Sequence, residues 1–364
     1  MNVAIFHDFM GSIGGGEKLV LTLARALKAD LYTADLDAGI VQKLGYGDVS
    51  ITNLGSLSKT PPLKQIDASM KFKRLKVDKE YDFHVFSGNW SHYAAKKLHP
   101  NLLYCHTPVR AFYDLKEWTI KNLDSAFQRL GARIWIFTHK RFNERSIQHI
   151  DSIVANSENV KGRIRRFYNR DATVINPPVP AKAFRFKEVG DFWLSVNRLY
   201  PEKRIDLQYE IFRKLPEQRL KIVGGSTEGD HSKAYMSKLG EAPPNVELLG
   251  QISQEELTEL FATCRGFIAT AVDEDFGMTP VEAMASGKVT LATNEGGFKE
   301  TIVDGETGWL LPANRDAFVE KIGTLTKDRL ETMTEACLQR SMLFDEAAFV
   351  SKMRKYIWDQ LTTN

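Results

Sequence analysis

Short runs of β-branched and aromatic residues alternate along the chain with stretches whose apolar positions recur every three to four residues. That alternation predicts parallel α/β units, each strand followed by a helix that covers the sheet. In the first half, NVAIFH (2–7) reads as a strand leading into a Gly-rich turn and a helix from Glu17 to Lys28. DFHVFSG (82–88), LLYCHT (102–107), SIVANS (152–157) and ATVIN (172–176) read as further strands. Residues 124–149 predict a long amphipathic helix, with Phe127, Leu130, Ile134, Phe137 and Arg141 at helical spacing and an unusually basic polar face.

NPPVPAKAF (176–184) then interrupts the pattern. Its prolines can neither propagate a helix nor sit in a central strand, so the segment reads as a linker. After it the pattern restarts with FWLSVNRL (192–199), RLKIVGG (219–225), NVELLGQI (245–252), GFIATAV (266–272) and VTLAT (289–293). The expected architecture is α/β, with two doubly wound Rossmann-like domains, 1–180 and 181–343. The tail, 344–364, is expected to form a helix that crosses back to the first domain. Ligands of such sheets bind at the carboxyl ends of the strands, and the expected site is the cleft between the two domains.

A length of 364 residues suits two domains, and 43% apolar with 26% charged residues excludes a disordered chain. Cys105, Cys264 and Cys337 are scattered, which argues against a disulfide framework or a zinc site and fits a reducing compartment. MNVAIFHD lacks a basic leader, and no run of about 18 apolar residues exists. The expectation is a soluble cytoplasmic protein. The net charge of +3 conceals an imbalance, +9 over residues 1–180 and −6 over 181–364. A basic first half suits an anionic partner, although a merely solvated surface explains it equally well.

Four stretches carry candidate chemistry. GSIGGGEK (11–18) follows the first strand and opens a helix, where Gly14, Gly15 and Gly16 let the backbone approach an anion. Its spacing is neither the dinucleotide fingerprint nor a Walker A loop, and a bare βα turn is the alternative. NRLYPEKR (197–204) puts Arg198 and Lys203 around a Pro-initiated helix start, where cations oppose the dipole and so need another reason to be present. A fork of donors and a point charge together suit a diphosphate. In EDFGMTPVE (274–282), Thr279 to Glu282 reads as a capping box, with Thr as N-cap, Pro at N1 and Glu at N3. Glu274 has no such explanation; a carboxylate at a strand end can accept hydrogen bonds from sugar hydroxyls. Asp273-Glu274-Asp275 also has the letters of a metal site, a weaker reading. His106, ending a strand in CHTP, can donate to a hydroxyl or be satisfied locally, and His7-Asp8 has the same standing. Finally, KFKRLK (71–76) and the basic helix with Trp135, Phe137 and Phe142 mix cations with aromatics, which suits an anionic membrane surface better than a nucleic acid.

Together these residues resemble the retaining glycosyltransferases of the GT-B fold, family 4 (glycosyl transferases group 1). The resemblance covers nearly the whole chain and is strongest over 192–312, in SVNRLYPEKRIDL, KIVGG, ELLGQIS and EDFGMTPVEAMASGKVTLATNEGGFKETIVDGETGWL. The first half, with HDFMGSIGGGEK and YCHTPVRAFYDL, is similar to mannosyltransferase-like members that build surface polysaccharides.

The resemblance implies transfer of a sugar, mannose favoured, from a GDP- or UDP-linked donor to a hydroxyl of a lipid-linked or surface-polysaccharide precursor. It implies that Arg198 and Lys203 bind the donor diphosphate, and that Asn197 belongs to the same donor site. Glu274 would hold the donor sugar, Glu282 the ribose, and the backbone of Phe276, Gly277, Met278 and Thr279 the sugar and phosphate. Gly14, Gly15 and Gly16 would lie near the phosphates and His106 near the reacting sugar. No cofactor or metal is implied, and a peripheral place on the inner face of the membrane fits a lipid-linked acceptor. Two other readings stand beside it: a sugar-nucleotide epimerase or hydrolase of the same fold, and a non-enzymatic protein that binds anionic lipid or polysaccharide. A dinucleotide oxidoreductase is weakest, because the glycine spacing is wrong and the acidic ribose reader is missing.

Overall fold

The computed structural model describes residues 1–11, 14–123, 125–225 and 232–363. Ser12 and Ile13 of the Gly-rich turn, and Asp124 at the start of the predicted long helix, lie outside them. The chain divides into two compact units, Met1–Asn176 with Phe349–Asn364, and Pro177–Ala348.

The first unit holds a parallel sheet of seven strands: β1 (Val3–Phe9), β2 (Asp30–Ala34), β3 (Ile51–Asn53), β4 (Phe83–Ser87), β5 (Asn101–Cys105), β6 (Ser152–Ala155) and β7 (Thr173–Val174). Their order is β3-β2-β1-β4-β5-β6-β7. Side chains alternate between two buried layers, as the two-residue period of a strand requires. Val3, Ile5, Phe83, Val85, Leu102 and Tyr104 face one layer, while Ala4, Phe6, Phe86, Leu103 and Cys105 face the other. The first layer is covered by the helix Gly15–Leu27 and by Phe349, Met353 and Ile357 of the C-terminal helix Glu346–Thr363.

The second unit holds six parallel strands: β8 (Phe192–Val196), β9 (Arg219–Val223), β10 (Val246–Gly250), β11 (Gly266–Ala269), β12 (Thr290–Thr293) and β13 (Gly308–Leu311). Their order is β10-β9-β8-β11-β12-β13. In each sheet the order reverses direction at a central pair, β1/β4 in the first and β8/β11 in the second. That is the switch point where open parallel sheets bind ligands.

The Pro-rich segment 176–184 begins where the first unit gives way to the second, as a linker does. Pro177, Pro178 and Val179 are buried, and Val179 N–H donates to Phe344 O at 2.9 Å. One sequence expectation changes here. The long helix runs over Ala126–Ile147, capped by Ser125 with Gln128 closing a capping box. Its regular apolar stripe does not face a core. Phe127 is 85% exposed, Leu130 55%, Ile134 57% and Phe137 58%. The buried side is Ile136, His139, Asn143, Ser146 and Ile147 instead.

Candidate active site

The donor-site candidates of the second unit gather at the carboxyl ends of β8 and β11. Asn197 continues β8, its N–H donating to Val223 O at 2.9 Å and its side-chain amide to Ser195 Oγ at 2.6 Å. This close approach requires Gly224: a Cβ there would fall 1.8 Å from Asn197 O. The chain then makes a 3-10 turn at Pro201–Lys203, passes through Arg204 in the left-handed region and enters the helix Ile205–Arg213. Thr270, just past β11, pins this turn by donating from Oγ1 to Lys203 O at 2.7 Å, and Val272 N–H donates to Glu202 O at 2.7 Å.

Held in this way, Lys203 Nζ lies 2.6 Å from Glu274 Oε2. The two residues singled out separately in sequence are thus one ion pair, and each side chain is less than a quarter exposed. Arg198, in the same turn, is exposed, and no ion pair is recorded for it among the described residues. Its placement leaves the guanidinium available to a ligand.

The expected capping box is not formed. Gly277, at φ 93°, is the N-cap of the helix Met278–Ala285, so the helix begins before Thr279. Thr279 and Pro280 are helical residues, and Glu282 lies two residues beyond the N3 position that closes a box. The letters S/T-x-x-E match the motif, but the cap falls where the backbone leaves the helical region, and here a glycine does so first. Glu282 therefore loses its purely structural explanation. Because glycine has no side chain to cap with, the amides of Met278 and Thr279 begin a helix whose N-terminus favours an anion.

A loop that sequence reasoning did not single out shapes this site. Glu295 follows β12, accepts from Asp273 N–H at 3.1 Å and pairs with Arg204 Nη1 at 3.0 Å. Gly297 N–H donates to Glu274 O at 2.7 Å. A Cβ on Gly296 would lie 2.4 Å from Glu274 O, and one on Gly297 2.5 Å from Phe276 Cα. Phe276 is buried and packs edge-on to Phe344 at 5.4 Å. The signal available in sequence was the glycine pair directly after a strand.

The first unit holds a second constellation, at the carboxyl ends of β1, β4 and β5. Gly14 caps the helix Gly15–Leu27, and its N–H donates to Glu17 Oε2 at 2.8 Å. Gly16 lies against the His106 ring, where an added Cβ would stand 3.5 Å from Cε1. His106 Nε2 is 2.9 Å from Ser87 Oγ, and Ser87 Oγ is 3.3 Å from His7 Nδ1. Burial, reinforced by the His7 charge and opposed by Glu17, pulls His106 down to about 4. Burial raises Glu17, but hydrogen bonding and charge from His7 with backbone N–H donors outweigh it and bring it to about 2. Asp8 serves the fold: its carboxylate accepts from the N–H groups of Asn89, Trp90 and Ser91 at 2.6–2.8 Å.

Residues 181–340 match the family described as Glycosyl transferases group 1. The match lies wholly within the second unit. Relatives of the chain include an alpha-1,3/1,6-mannosyltransferase of Dictyostelium discoideum, 24% identical over 96% of this chain and 95% of that one. The corresponding protein of Neurospora crassa is 28% identical over 59% of this chain, and the match spans about half, 54%, of its length. The sulfoquinovosyl transferase of Arabidopsis thaliana is 30% identical over 44% of this chain, which spans 32% of it. The fold is shared with Anabaena HepE, solved in complex with UDP and glucose, at a TM-score of 0.76 and 17% identity over 97% of this chain and 98% of that one. Sucrose-phosphate synthase from Thermosynechococcus elongatus has the same TM-score at 17% identity, with both chains fully covered. The GT-B glycosyltransferase resemblance drawn from the sequence, and its two parallel-sheet α/β fold, are borne out.

Proposed function

We propose that the chain is a retaining hexosyltransferase, mannose favoured, that takes its sugar from a GDP- or UDP-linked donor. The observation that carries this reading is the Lys203–Glu274 pair, held beside a side-chain-free helix start at the β8/β11 switch point. Breaking a sugar–diphosphate bond builds negative charge on the leaving group, and fixed cations and N–H donors aimed at it stabilise the transition state. Lys203, Arg198 and the amides of Met278 and Thr279 would supply them. Glu274 would fix the sugar through its hydroxyls while orienting Lys203, and Glu282 would take the ribose.

Mannose is supported by the mannosyltransferase relatives. A lipid-linked glycan acceptor is supported by a Dictyostelium discoideum relative whose name gives a GDP-mannose donor and a dolichol-linked acceptor. Peripheral contact with an anionic membrane belongs to the same reading. It is supported by the exposed Phe127, Leu130, Ile134 and Phe137 stripe, with Arg129, Arg133 and Arg141 on the same exposed helix. Among the described residues no helix is long and apolar enough to cross a membrane.

The test is thermal melting with UDP-, GDP- and ADP-sugars, because a ligand that prefers the native state raises the melting temperature. One base is expected to stand out, and Lys203→Ala and Glu274→Gln to lose that rise while melting cooperatively without ligand. Transfer to an acceptor is expected to survive EDTA, since protein cations carry the leaving-group charge in this proposal. A flat panel for the wild type sinks the reading; rapid, complete donor conversion without acceptor would instead favour an epimerase or hydrolase.

A further inference from the structure

The glycine turn, β1, β4 and β5 are joined by one chain of side chains, Glu17–His7–Ser87–His106, at the switch point of the first sheet. β1 and β4 pair in parallel with His7 directly opposite Ser87, so the two side chains rise from the same side of the sheet. His7 Nε2 is 3.6 Å from Glu17 Oε1, His7 Nδ1 3.3 Å from Ser87 Oγ, and Ser87 Oγ 2.9 Å from His106 Nε2. The other Glu17 oxygen is committed to Gly14 N–H. His7 and Ser87 are buried, and His106 is half-buried.

Donors and acceptors in such a chain cannot be chosen independently. Glu17 is ionised and only accepts, so His7 Nε2 carries a hydrogen. When His7 is neutral, its Nδ1 is a lone pair and Ser87 donates to it. Ser87 Oγ then accepts from His106 Nε2–H, which leaves His106 Nδ1 as an acceptor. Adding one proton to His7 Nδ1 reverses the sequence. His7 donates to Ser87, Ser87 donates to His106 Nε2, and the His106 hydrogen moves to Nδ1, which becomes a donor. His106 stays neutral in both arrangements. Its Nδ1 has no hydrogen-bond partner recorded among the described residues and is the atom left for a ligand.

We infer that Glu17, His7 and Ser87 are positioning residues that set which ring nitrogen of His106 carries the hydrogen, and hence whether the ring accepts from or donates to a substrate hydroxyl. The other groups facing this chain do not interrupt it. Asp8, next to His7, is taken up by the three backbone N–H groups of 89–91. The Tyr104 ring lies 5.3 Å from the His106 ring, but its hydroxyl donates to Ile175 O. Only the identity of the hydroxyl, a donor-sugar hydroxyl, rests on the transferase reading; the relay itself does not.

The test is ¹⁵N NMR of the ligand-free, histidine-labelled protein, with signals assigned through His7→Gln and His106→Gln. At pH 9 His106 Nδ1 is expected to be pyridine-type. Where acid adds a second proton to the His7 ring, His106 Nδ1 is expected to become pyrrole-type, with His106 still neutral. Ser87→Ala is expected to abolish the step while melting cooperatively. A His106 signal that keeps its pyridine-type Nδ1 throughout, or that gains a second proton together with His7, overturns the relay. So does a step that persists in Ser87→Ala. Transferase assays separate the two readings: Ser87→Ala is expected to lower kcat about tenfold with little change in donor KM. If the NMR step is present but transfer is unchanged, the relay stands and a sugar hydroxyl is removed as its partner.

Discussion

Gly296 and Gly297 set how closely the loop after β12 approaches Glu274, and that closeness makes a local prediction. A methyl group at Gly297 would lie 2.5 Å from Phe276 Cα, a backbone atom that cannot swing aside. Gly297→Ala is expected to destabilise the protein by about 1–3 kcal/mol and to weaken nucleotide-sugar binding in the same variant. Urea unfolding and donor melting shifts measure the two effects; a variant with wild-type values in both removes the loop from the site. The same region shows what sequence could and could not disclose. Glu274 was legible because capping rules left it unexplained. Its pairing with Lys203 was not, because nothing local in PEKR says that Lys203 reaches a residue 71 positions away. Glu282 was misread because a motif of letters does not record which residue begins the helix.

At the level of elements, most strands were legible from their apolar runs, and β2, β3 and β13 were not. β3 spans only Ile51–Asn53, with Ile51 partly buried and Thr52 and Asn53 exposed, so it lacks the buried alternation that marks a strand. β2 (Asp30–Ala34) and β13 (Gly308–Leu311) are no shorter than strands that were read, so length does not explain why they were missed. The long helix failed in a more informative way. Periodicity finds an apolar face but does not say what covers it, and here the face opposite to the stripe is the one that packs. Because the stripe is exposed, replacing Phe127 and Ile134 with Ser is expected to change unfolding free energy by less than about 0.5 kcal/mol. The same double variant is expected to lose flotation with vesicles rich in phosphatidylserine at low salt. Equal flotation of wild type and variant would separate this helix from membrane contact.

For the molecule as a whole, buried histidines tie stability to pH. Burial holds His106 near 4 and His92 near 3, and it lowers His84 and His139 as well. The unfolded chain protonates these rings near pH 6.5 and the folded chain does not, so stability falls as pH drops from about 7 to 4. Where only the unfolded ring is charged, His106 and His92 each add a slope of about 1.4 kcal/mol per pH unit. Asp8, raised by burial, works in the opposite direction and offsets part of the slope. Glu17, held near 2, adds stability above its ordinary value of 4.5 that is lost as pH falls from there towards 2. Urea midpoints are expected to be lower at pH 5 than at pH 7, and equal midpoints would contradict this account.

The return of Phe349, Met353 and Ile357 to the first sheet fixes an order of assembly during synthesis. The second unit is one uninterrupted segment, 177–348, and is complete on the ribosome before that helix emerges. The first unit, begun earliest, is finished last. Until then it shows the ribosome tunnel exit an uncovered layer around Leu19 and Leu23, and each of the three missing side chains adds about 1.5–3 kcal/mol when it seats. The nascent chain thus carries an uncovered apolar layer for the whole time that its other half is being made.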